Sequence, residues 1–537
     1  MEGSKIETFR KTGSGIPVKE VYTPEDIKDF NYEKDLGLPG EGPYTRGIYS
    51  NMYRGKNWTI RQFSGFATPE ETNKRYRYKY ENGETGFSIS VDSVSENGFD
   101  PDDPRAEDEV GQSGVSICSL EDMETLFNGL PIDKVSTAVI TSQWTSPALA
   151  AMYFVMAEKQ GVSLNKVNGT SQNDPYVFTL CCNLVDCVTP PYLLKLSVDL
   201  IEWCAQEVPN WHPVSFASYN YRENGVNAFQ ELGMLFSNAV GYIEEELSRN
   251  RLKIDDFAPV ISFHLAAHND FFEEIAKFRA ARRMWYKLMK ERYGAKDPRS
   301  MAFRFHVQTS GSTNIYQQIL NNSVRIAYQV LAAGLGGAQS VHATSYDEPL
   351  CLPTDQSILL SLRTQQIAQY ETNITNVADP LGGSYYVEWL TNEVEKKSWE
   401  CFQEIEDRGG LVKVWESGWI HREAATAMDE RQREIETGEK KIVGVNCFEM
   451  DTEPYEVPVF RPNPESTNIQ ADKVRQLRKK RDNTRVKKCL DKLRQVSLNN
   501  ENVMPALMEA VRSYATLGEI QDIWRGIYPK WKIPIKY

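Results

Sequence analysis

Hydrophobic and polar positions follow two periods along this chain, and their alternation predicts short strands followed by longer helices. Residues 304–308 alternate apolar and polar side chains, which is typical of a strand. Residues 316–333 place apolar side chains at helical spacing, Gly334 follows, and residues 338–344 form a second short apolar run. The polar loop 345–348 comes next. Because a parallel β/α barrel builds its chemistry where strands end, this loop is a candidate for function.

The same alternation extends over much of the chain. Strands are predicted at residues 86–92, 135–141, 214–219 and 260–265, and helices at residues 147–160, 192–208, 227–247, 271–292, 386–406 and 422–434. Ser119, with Asp122 three residues later, predicts another helix start. Strands alternating with longer helices over about 350 residues favour a parallel α/β sheet closed as a (β/α)8 TIM barrel. An open doubly wound sheet also fits, but no Gly-x-Gly-x-x-Gly follows a strand.

The chain divides into three predicted regions. Residues 1–40 are polar and interrupted by prolines, which predicts an N-terminal extended arm, although a plain linker fits equally. Residues 41–430 are predicted to form the barrel, and residues 431–537 a C-terminal linker and helical region. Within the last region, residues 445–459 are strand-like. Residues 468–499 predict a strongly charged helix, whose basic groups fit a solvated helix face better than a nucleic-acid contact.

Composition narrows the class of protein. The 537 residues carry a net charge of -13, which argues against nucleic-acid binding through a general basic surface. The nine cysteines are scattered without zinc spacing, which favours free thiols in a reducing cytoplasm. The N-terminus lacks an apolar signal core, and no run of about 18 apolar residues predicts a transmembrane helix. We therefore expect a cytoplasmic protein without a membrane or nucleic-acid partner.

One basic and aromatic segment, residues 42–66, stands out in this acidic chain. Its cations are Arg46, Arg54, Lys56 and Arg61, and its aromatic side chains are Tyr44, Tyr49, Tyr53, Trp58 and Phe63. Recognition of phosphate and adenine requires cations together with flat apolar surfaces. A solvated charged loop with its aromatic residues in the core is the alternative interpretation.

Several motifs agree with one known family without gaps. They are His306 with Gln308-Thr309-Ser310-Gly311, Asn321-Asn322, Val324-Arg325, Gln339-Ser340, His342, Ser345, Asp347-Glu348, Leu352-Pro353-Thr354, Asp379-Pro380, Gly383-Ser384 and Tyr386. With them, the chain resembles the adenosylcobalamin-dependent acyl-CoA mutases, the methylmalonyl-CoA mutase superfamily. The resemblance implies an isomerase, an intramolecular transferase that rearranges the carbon skeleton of a CoA thioester by a radical 1,2-shift inside a TIM barrel.

The resemblance implies an acyl-CoA channel along the barrel. Tyr49, Asn51, Lys56, Thr59 and Arg61 match the CoA entrance, Ser88, Ser262 and Ser340 match small residues along the pantetheine chain, and Thr141 is assigned to the same substrate site. Lys56 replaces a frequent Arg, which keeps the charge but loses the bidentate fork. Val260 stands where the family has another Arg, so one CoA phosphate contact is absent or comes from elsewhere.

Three residues are assigned to catalysis by the same resemblance. Gln172 matches a glutamine that hydrogen-bonds the thioester carbonyl. Tyr219 matches a tyrosine that helps drive off the adenosyl group and shields radicals. Asn220 replaces a histidine that donates a hydrogen bond to the thioester oxygen. Since Asn donates but does not exchange a proton, the electrophilic role at this position is open.

Adenosylcobalamin is the implied cofactor. Gln308, Thr344 and Glu348 match positions that contact it, with Thr344 in place of a family Asn. Single-chain members carry a cobalamin domain with an Asp-x-His-x-x-Gly motif whose His ligates cobalt, and this sequence has no such motif. We therefore expect a large subunit, without a metal site of its own, that works with a small cobalamin-binding subunit as a heterotetramer of two large and two small subunits.

The acyl group is predicted from three positions. Methylmalonyl-type enzymes carry Tyr at the position of Phe63 and, at that of Cys182, an Arg that pairs with the substrate carboxylate. Because a buried carboxylate without a cation is unfavourable, we expect an uncharged, isobutyryl-like branched acyl group. Phe63 itself resembles the isobutyryl-CoA mutases. The hydroxyacyl-CoA mutases instead have a small aliphatic residue there and Asp at the position of Ser90, but Ser90 can still bond a hydroxyl weakly, so a 2-hydroxyacyl group is the second candidate. The chain is therefore expected to be closer to the isobutyryl- and 2-hydroxyisobutyryl-CoA mutase large subunits than to methylmalonyl-CoA mutase.

Two further alternatives stay open. Methylmalonyl-CoA would fit if Arg222 or another cation reached the acyl pocket. The replacements at Asn220, Thr344 and Val260 would also fit a non-catalytic subunit that binds CoA esters.

Overall fold

The computed structural model describes residues 10–106, 108–141, 144–180 and 186–532. Its strands are β1 (Arg10–Lys11), β2 (Pro17–Val18), β3 (Thr59–Ile60), β4 (Gly86–Ser90), β5 (Ser136–Ile140), β6 (Gly169–Ser171), β7 (Trp211–His212), β8 (Val214–Ala217), β9 (Ile261–Ala267), β10 (Phe305–Thr309) and β11 (Ser340–His342). Its helices are α1 (Pro69–Glu81), α2 (Ser93–Asn97), α3 (Leu120–Leu126), α4 (Ser146–Lys159), α5 (Pro175–Phe178), α6 (Pro190–Glu207), α7 (Tyr219–Glu223), α8 (Ala228–Ser248), α9 (Ile254–Phe257), α10 (Phe271–Lys287), α11 (Pro298–Met301), α12 (Asn321–Leu335), α13 (Asp355–Tyr370), α14 (Tyr385–Asp407), α15 (Gly410–Glu416), α16 (Trp419–Glu436), α17 (Ser466–Lys480), α18 (Asn483–Leu498), α19 (Met504–Arg512) and α20 (Leu517–Arg525).

Two parallel sheets form the centre of the molecule. One has the strand order β3-β11-β10-β9-β8 and the other the order β4-β5-β6-β7. Every pair within these two sheets is parallel, and β1 and β2 pair as a separate antiparallel ribbon. The predicted α/β class is confirmed.

Hydrogen bonds also join the edges of the two sheets. Just beyond β3, the Ser64 N–H donates to the Ser88 carbonyl at 3.2 Å. At the opposite edges, the Ser215 N–H on β8 donates to the carbonyl of Gln172, next to β6, at 3.0 Å. Pro213, which has no N–H to donate, separates β7 from β8. Closure of these segments into one eight-stranded barrel remains a prediction.

Strand residues that face the helices build the hydrophobic core. Phe87 stacks on Tyr76 of α1 with ring centroids 5.4 Å apart, and Phe263 stacks on Phe303 at 4.2 Å. Both phenylalanines are about 1% exposed. Because successive side chains of a strand point to opposite faces, Ser88 and its equivalents on the other strands point away from the helices.

Most predicted elements are confirmed in type with small shifts at their ends, but two predictions in the C-terminal region are wrong. Residues 445–459 form no strand in the described structure, because Pro454 and Pro458 lack the N–H that a sheet ladder requires. The helix predicted over residues 468–499 is two helices. Asp482 lies between the two helices. Its side chain accepts a hydrogen bond from the Arg485 N–H at 3.0 Å and caps the start of α18.

The helix predicted to start at residue 316 starts later, at Asn321. The Asn322 side chain explains the delay, because it accepts from the Ile315 N–H at 3.1 Å and donates to the carbonyls of Ile315 at 2.8 Å and Tyr346 at 3.0 Å. These bonds fix residues 315–320 as a loop. Val324, expected in the buried stripe, is 54% exposed.

The N-terminal arm and the C-terminal helices both pack on the central body. The Gly13 N–H in the arm donates to Asp270 at 2.6 Å. Asp100 accepts from the Thr516 hydroxyl at 2.6 Å and the Gly518 N–H at 2.9 Å. The predicted boundary at residue 430 lies within α16, and the division into domains stays a prediction. Across the described ranges, no helix combines the length and apolar character needed to cross a membrane.

Candidate active site on the inner faces of the sheets

The inner faces of the two sheets are partly accessible to solvent near the amino ends of the strands. Ser136, Ser262, His306 and Ser340 are partly exposed, whereas the residues that follow them on their strands, with side chains toward the helices, are buried. Arg61, which follows β3, donates to the Ser136 hydroxyl on the other sheet, so the two inner faces lie within side-chain reach. A TIM barrel normally fills its interior with bulky branched side chains. Here small hydroxyl residues leave space for a thin ligand.

The predicted pantetheine residues Ser88, Ser262 and Ser340 lie on these inner faces, and Thr141, assigned to the same substrate site, directly follows the end of β5. Ser88 and Thr141 are fully buried, and their hydroxyl oxygens have no hydrogen-bond partner among the described residues. Ser262 donates to the Val214 carbonyl at 3.1 Å, and Ser340 hydrogen-bonds His306 Nδ1 at 2.7 Å. Ser88 and Thr141 are therefore the two of these residues whose hydroxyls are unsatisfied in the described structure.

The predicted CoA entrance lies at the amino end of β3. Tyr49, Asn51 and Lys56 precede this strand and are exposed. Thr59 and Arg61 are partly buried further along the same segment. Burial lowers the pKa of Arg61 to about 10, which still leaves it charged at neutral pH. The chain thus runs from an exposed basic and aromatic loop into the interior.

Phe63 is the centre of a ring cluster that we call the histidine cluster: Phe63, His264, His306 and His342. The Phe63 ring stacks on His342 with centroids 4.5 Å apart and lies 5.7 Å from His264 and 5.8 Å from His306. The Phe63 N–H donates to His342 Nδ1 at 3.1 Å. His264 and His306 are register partners on β9 and β10, with centroids 4.9 Å apart.

The histidines of this cluster are neutral at physiological pH. Burial lowers the pKa values of His264 and His342 to about 3, and that of His306 well below its usual range. A neutral imidazole carries one N–H donor and one acceptor nitrogen. The cluster therefore offers hydrogen bonds without adding positive charge.

Tyr219 borders the cluster at the carboxyl end of β8. Its ring stacks on His264 with centroids 5.4 Å apart, and its hydroxyl accepts a bond from the Gly311 N–H at 3.3 Å. Glu223, one turn later on α7, accepts from the Ser310 hydroxyl at 2.5 Å. The loop after β10 is thereby held against the start of α7.

Glu348, in the loop after β11, also lies close to Gly311. A Cβ built on Gly311 would lie 2.6 Å from Glu348 Oε1 and 3.2 Å from the Tyr219 hydroxyl, so the three residues meet at one point. Glu348 is open to solvent yet closely surrounded by protein. This confinement and the neighbouring carboxylates of Glu223 and Asp347 raise its pKa to about 8.

Gln308 and Thr344 occupy the same end of the strands. Gln308 Oε1 is buried without a hydrogen-bond partner in the described part of the chain. The Thr344 hydroxyl bonds the Thr309 hydroxyl at 2.8 Å and accepts from Asn314 Nδ2 at 3.1 Å. Thr344 is thus committed to the loop, whereas Gln308 and Glu348 are open to a ligand.

Gln172 and Asn220 are both buried. The Gln172 backbone bonds Val139 on β5 and Ser215 on β8, which fixes the residue where β6 ends. Its side-chain oxygen has no partner among the residues described. Asn220 lies on α7 beside Tyr219 and is about 8% exposed.

The substrate-pocket positions are only partly described. Phe63 is in the histidine cluster, and Ser90 is partly exposed at the end of β4. Cys182 lies outside the described residues. Arg222 is buried in a different place, where it pairs with Glu274 at 2.7 Å and Glu231 at 3.4 Å.

A buried network of ion pairs holds the backbone next to the site. Lys277 on α10 donates to Glu231 at 2.7 Å, Glu274 at 2.5 Å and the Ala266 carbonyl at 2.8 Å. Glu231 also accepts from the Ser218 hydroxyl at 2.8 Å. The network therefore fixes the backbone next to Tyr219 and the end of the strand that carries His264.

Sequence reasoning missed two residues of this site. His264 looks like an ordinary member of an apolar strand, although the alternation of Ser262, His264 and Ala266 placed it on the same face as a predicted channel residue. Glu223 follows Tyr219 by four residues, which is one helical turn. That spacing was the available signal.

Comparisons with known proteins agree with this geometry. The family model described as Methylmalonyl-CoA mutase matches residues 11–530. The chain is 38% identical to the 2-hydroxyisobutanoyl-CoA mutase large subunit of Aquincola tertiaricarbonis, over 98% of this chain and 93% of that protein. It is also 38% identical to the methylmalonyl-CoA mutases of Rhizobium meliloti and Escherichia coli, over 96% and 98% of this chain and 72% of each relative. Identity alone therefore does not separate the two activities. The chain belongs to the methylmalonyl-CoA mutase family.

Proposed function

We propose that this chain is the acyl-CoA-binding large subunit of an adenosylcobalamin-dependent mutase that rearranges the carbon skeleton of an uncharged, branched acyl-CoA. The observation that carries the proposal is the solvent-accessible interior, lined by Ser262 and Ser340, that leads to Phe63 and Tyr219. Small side chains of this kind would admit a thin pantetheine chain. The reactive end of the ligand would then meet a cluster of aromatic and neutral polar groups.

The interior is part of a closed (β/α)8 barrel in this proposal. The hydrogen bonds between Ser64 and Ser88 at one pair of sheet edges, and between Ser215 and Gln172 at the other, support closure. Closure matters for function because a radical reaction requires that water and other hydrogen donors are excluded.

CoA enters from the amino ends of the strands. Tyr49 and Lys56 provide an exposed aromatic surface and a cation for the nucleotide end, and Asn51 lies between them. Arg61 is charged further inside. The acyl thioester then reaches the carboxyl ends of the strands, where Gln172 supplies an amide with an unsatisfied oxygen and Tyr219 closes one side.

The acyl group is uncharged because the cations that act on the histidine cluster are engaged. Lys79, which affects His342, is buried and bonds Glu84 at 2.9 Å. Arg61, which affects His306, donates to Ser136. Lys79 is therefore unavailable to a substrate carboxylate beside Phe63. Arg61 has no carboxylate partner at ion-pair distance among the described residues, and in this proposal its charge is committed to the CoA thioester.

The residues at the strand ends fit adenosylcobalamin. Gln308 presents a buried oxygen without a partner, and Glu348 is an accessible carboxyl group beside Gly311. With its pKa near 8, Glu348 is largely protonated at neutral pH and donates as well as accepts a hydrogen bond, as ribose hydroxyls require. When bound, the cofactor supplies the carbon radical that starts the rearrangement. A small cobalamin-binding subunit would hold most of it, in a cytoplasmic heterotetramer of two large and two small subunits.

A 2-hydroxyacyl group is the second candidate. It is favoured by the accessible hydroxyl of Ser90 and by the similarity to a 2-hydroxyisobutanoyl-CoA mutase large subunit. Ser90 offers one weak hydrogen bond to a substrate hydroxyl and no charge.

The test combines this chain with a cognate small subunit, adenosylcobalamin and a panel of acyl-CoAs, and follows isomer formation by chromatography with mass detection. Turnover of a branched, uncharged acyl-CoA without turnover of methylmalonyl-CoA supports the proposal. Turnover of methylmalonyl-CoA would refute the uncharged pocket. Binding of CoA esters without any turnover would favour the non-catalytic role.

A further inference from the structure

His264 lies between the residue predicted to select the acyl group and the tyrosine predicted to act in catalysis. Its ring meets Phe63 edge-on at 5.7 Å and stacks on Tyr219 at 5.4 Å, with 13° between the planes. The residue is 3% exposed, and its strand pairs with β8, the strand that leads into Tyr219. An acyl group beside Phe63 and Tyr219 would therefore contact this imidazole.

The surroundings leave the imidazole unsatisfied. Nε2 of His264 is buried and has no hydrogen-bond partner among the described residues, and Oε1 of Gln308 is in the same condition. Hydrogen bonding by the Gln308 side chain opposes the lowering of the His264 pKa, which places the amide beside the imidazole, although Nε2 and Oε1 do not reach full hydrogen-bond geometry with each other. Buried polar atoms are nearly always paired in native proteins. A polar ligand atom at this point supplies the missing partner.

We propose that His264 donates a hydrogen bond to the thioester carbonyl oxygen of the bound acyl-CoA, an inference that rests on the proposed function. The family resemblance places the donor histidine at the position of Asn220, on the helix after β8. In this chain the imidazole comes instead from the neighbouring strand β9.

The protonation state of His264 suits this role. The ring is neutral at physiological pH because burial lowers its pKa to about 3. It polarises the carbonyl as a hydrogen-bond donor, and no proton changes place. Such a bond is strong in a water-poor interior and acts most where negative charge develops on the oxygen.

The test compares His264→Phe, which keeps a stacking ring but removes the donor, with His264→Asn, which restores a donor. Each full-length variant is saturated with an acyl-CoA isotopically labelled at the thioester carbonyl, and the carbonyl stretch is recorded by infrared difference spectroscopy. We expect the stretch to move to higher wavenumber in His264→Phe and to return part of the way in His264→Asn. In the complete enzyme, His264→Phe should lower kcat by about 10²-fold, the lower end for loss of one such donor, with little change in acyl-CoA affinity.

His212→Phe is the matched control, because His212 is also a neutral histidine but bonds the Val260 carbonyl at 2.9 Å, near the amino end of β9. The acyl-CoA bound to His212→Phe should show the same carbonyl stretching frequency as the acyl-CoA bound to the unmodified protein. An unchanged frequency in His264→Phe, together with a shift in Asn220→Ala, would overturn the proposal and assign the donor to Asn220. If the unmodified chain binds no acyl-CoA, the proposed function itself fails. If it binds and turns over acyl-CoA while His264→Phe behaves normally, only the role of His264 fails.

Discussion

Replacing Lys277 with Met should destabilise the protein and disturb catalysis together. Lys277 is fully buried and balances two carboxylates, Glu231 and Glu274, with Arg222 as the second cation. The four groups sum to zero charge, so Lys277→Met leaves one buried negative charge uncompensated. Breaking a buried ion pair from one side costs about 3–5 kcal/mol. The chain would be expected to remain folded near room temperature but to unfold at a clearly lower temperature.

The pH dependence of this loss has a defined sign. Burial already raises the pKa of Glu231, and removal of Lys277 raises it further. A carboxyl group with a raised folded-state pKa binds more protons when folded than when unfolded, so stability falls as pH rises above the unfolded value. The deficit of Lys277→Met should therefore be larger at pH 8 than at pH 5.5. Adding Glu231→Gln, which removes the excess charge, should recover part of it.

The assay is thermal unfolding at both pH values, followed by turnover of the acyl-CoA that the complete enzyme accepts. The matched control is Lys287→Met on the same helix. Lys287 is partly exposed, and its partner Glu395 keeps Arg283, so the expected loss is at most about 1 kcal/mol. Equal melting temperatures for the two variants would refute the reasoning. A loss that grows toward pH 5.5 would refute the charge argument specifically.

Two further predictions concern single positions in and beside the site. Gly311→Ala should lower kcat by 10-fold or more with little change in acyl-CoA affinity, because the new methyl group would lie 2.6 Å from Glu348 Oε1 and 3.2 Å from the Tyr219 hydroxyl. Steady-state kinetics and calorimetric binding measure the two quantities. An unchanged kcat would contradict the close packing. Asp174 is buried against the Tyr242 hydroxyl, and burial raises its pKa to about 7. As pH rises from about 4 to 7, the wild-type protein should therefore lose stability relative to Asp174→Asn. A constant difference in melting temperature between the two proteins across that range would contradict the shift.

The sequence predicted the strands and the residues at their ends better than it predicted the contacts between them. The motif residues Gln308 and Glu348 both lie where strands end, Gln308 on β10 and Glu348 in the loop after β11, because parallel strands bring their carboxyl ends to one edge. His264 was not predicted, since a single histidine in an apolar strand gives no sign of whether it packs in the core or lines a channel. Its role depends on Phe63 and Tyr219, which are far away in the sequence.

The failed predictions have local causes that periodicity does not register. Residues 445–459 have the composition of a strand, but two prolines remove the donors that pairing requires. The helix predicted from residue 316 is delayed because one amide, Asn322, satisfies backbone groups that a helix would otherwise use. In both segments, individual hydrogen-bonding groups outweigh the apolar pattern.

The open interior has a consequence for the energetics of the molecule. In most barrels the centre is a packed core, and ligands bind at one mouth without changing it. In this protein the inner faces carry small serines instead of bulky side chains. The hydrophobic packing that stabilises the fold therefore lies in the outer layer, between strands and helices. A bound CoA ester would therefore fill space that a packed core normally occupies. Ligand binding would then raise the free energy of unfolding. If the proposed function holds, the small side chains that admit the substrate would also make the ligand-free protein less well packed than its complex with a CoA ester.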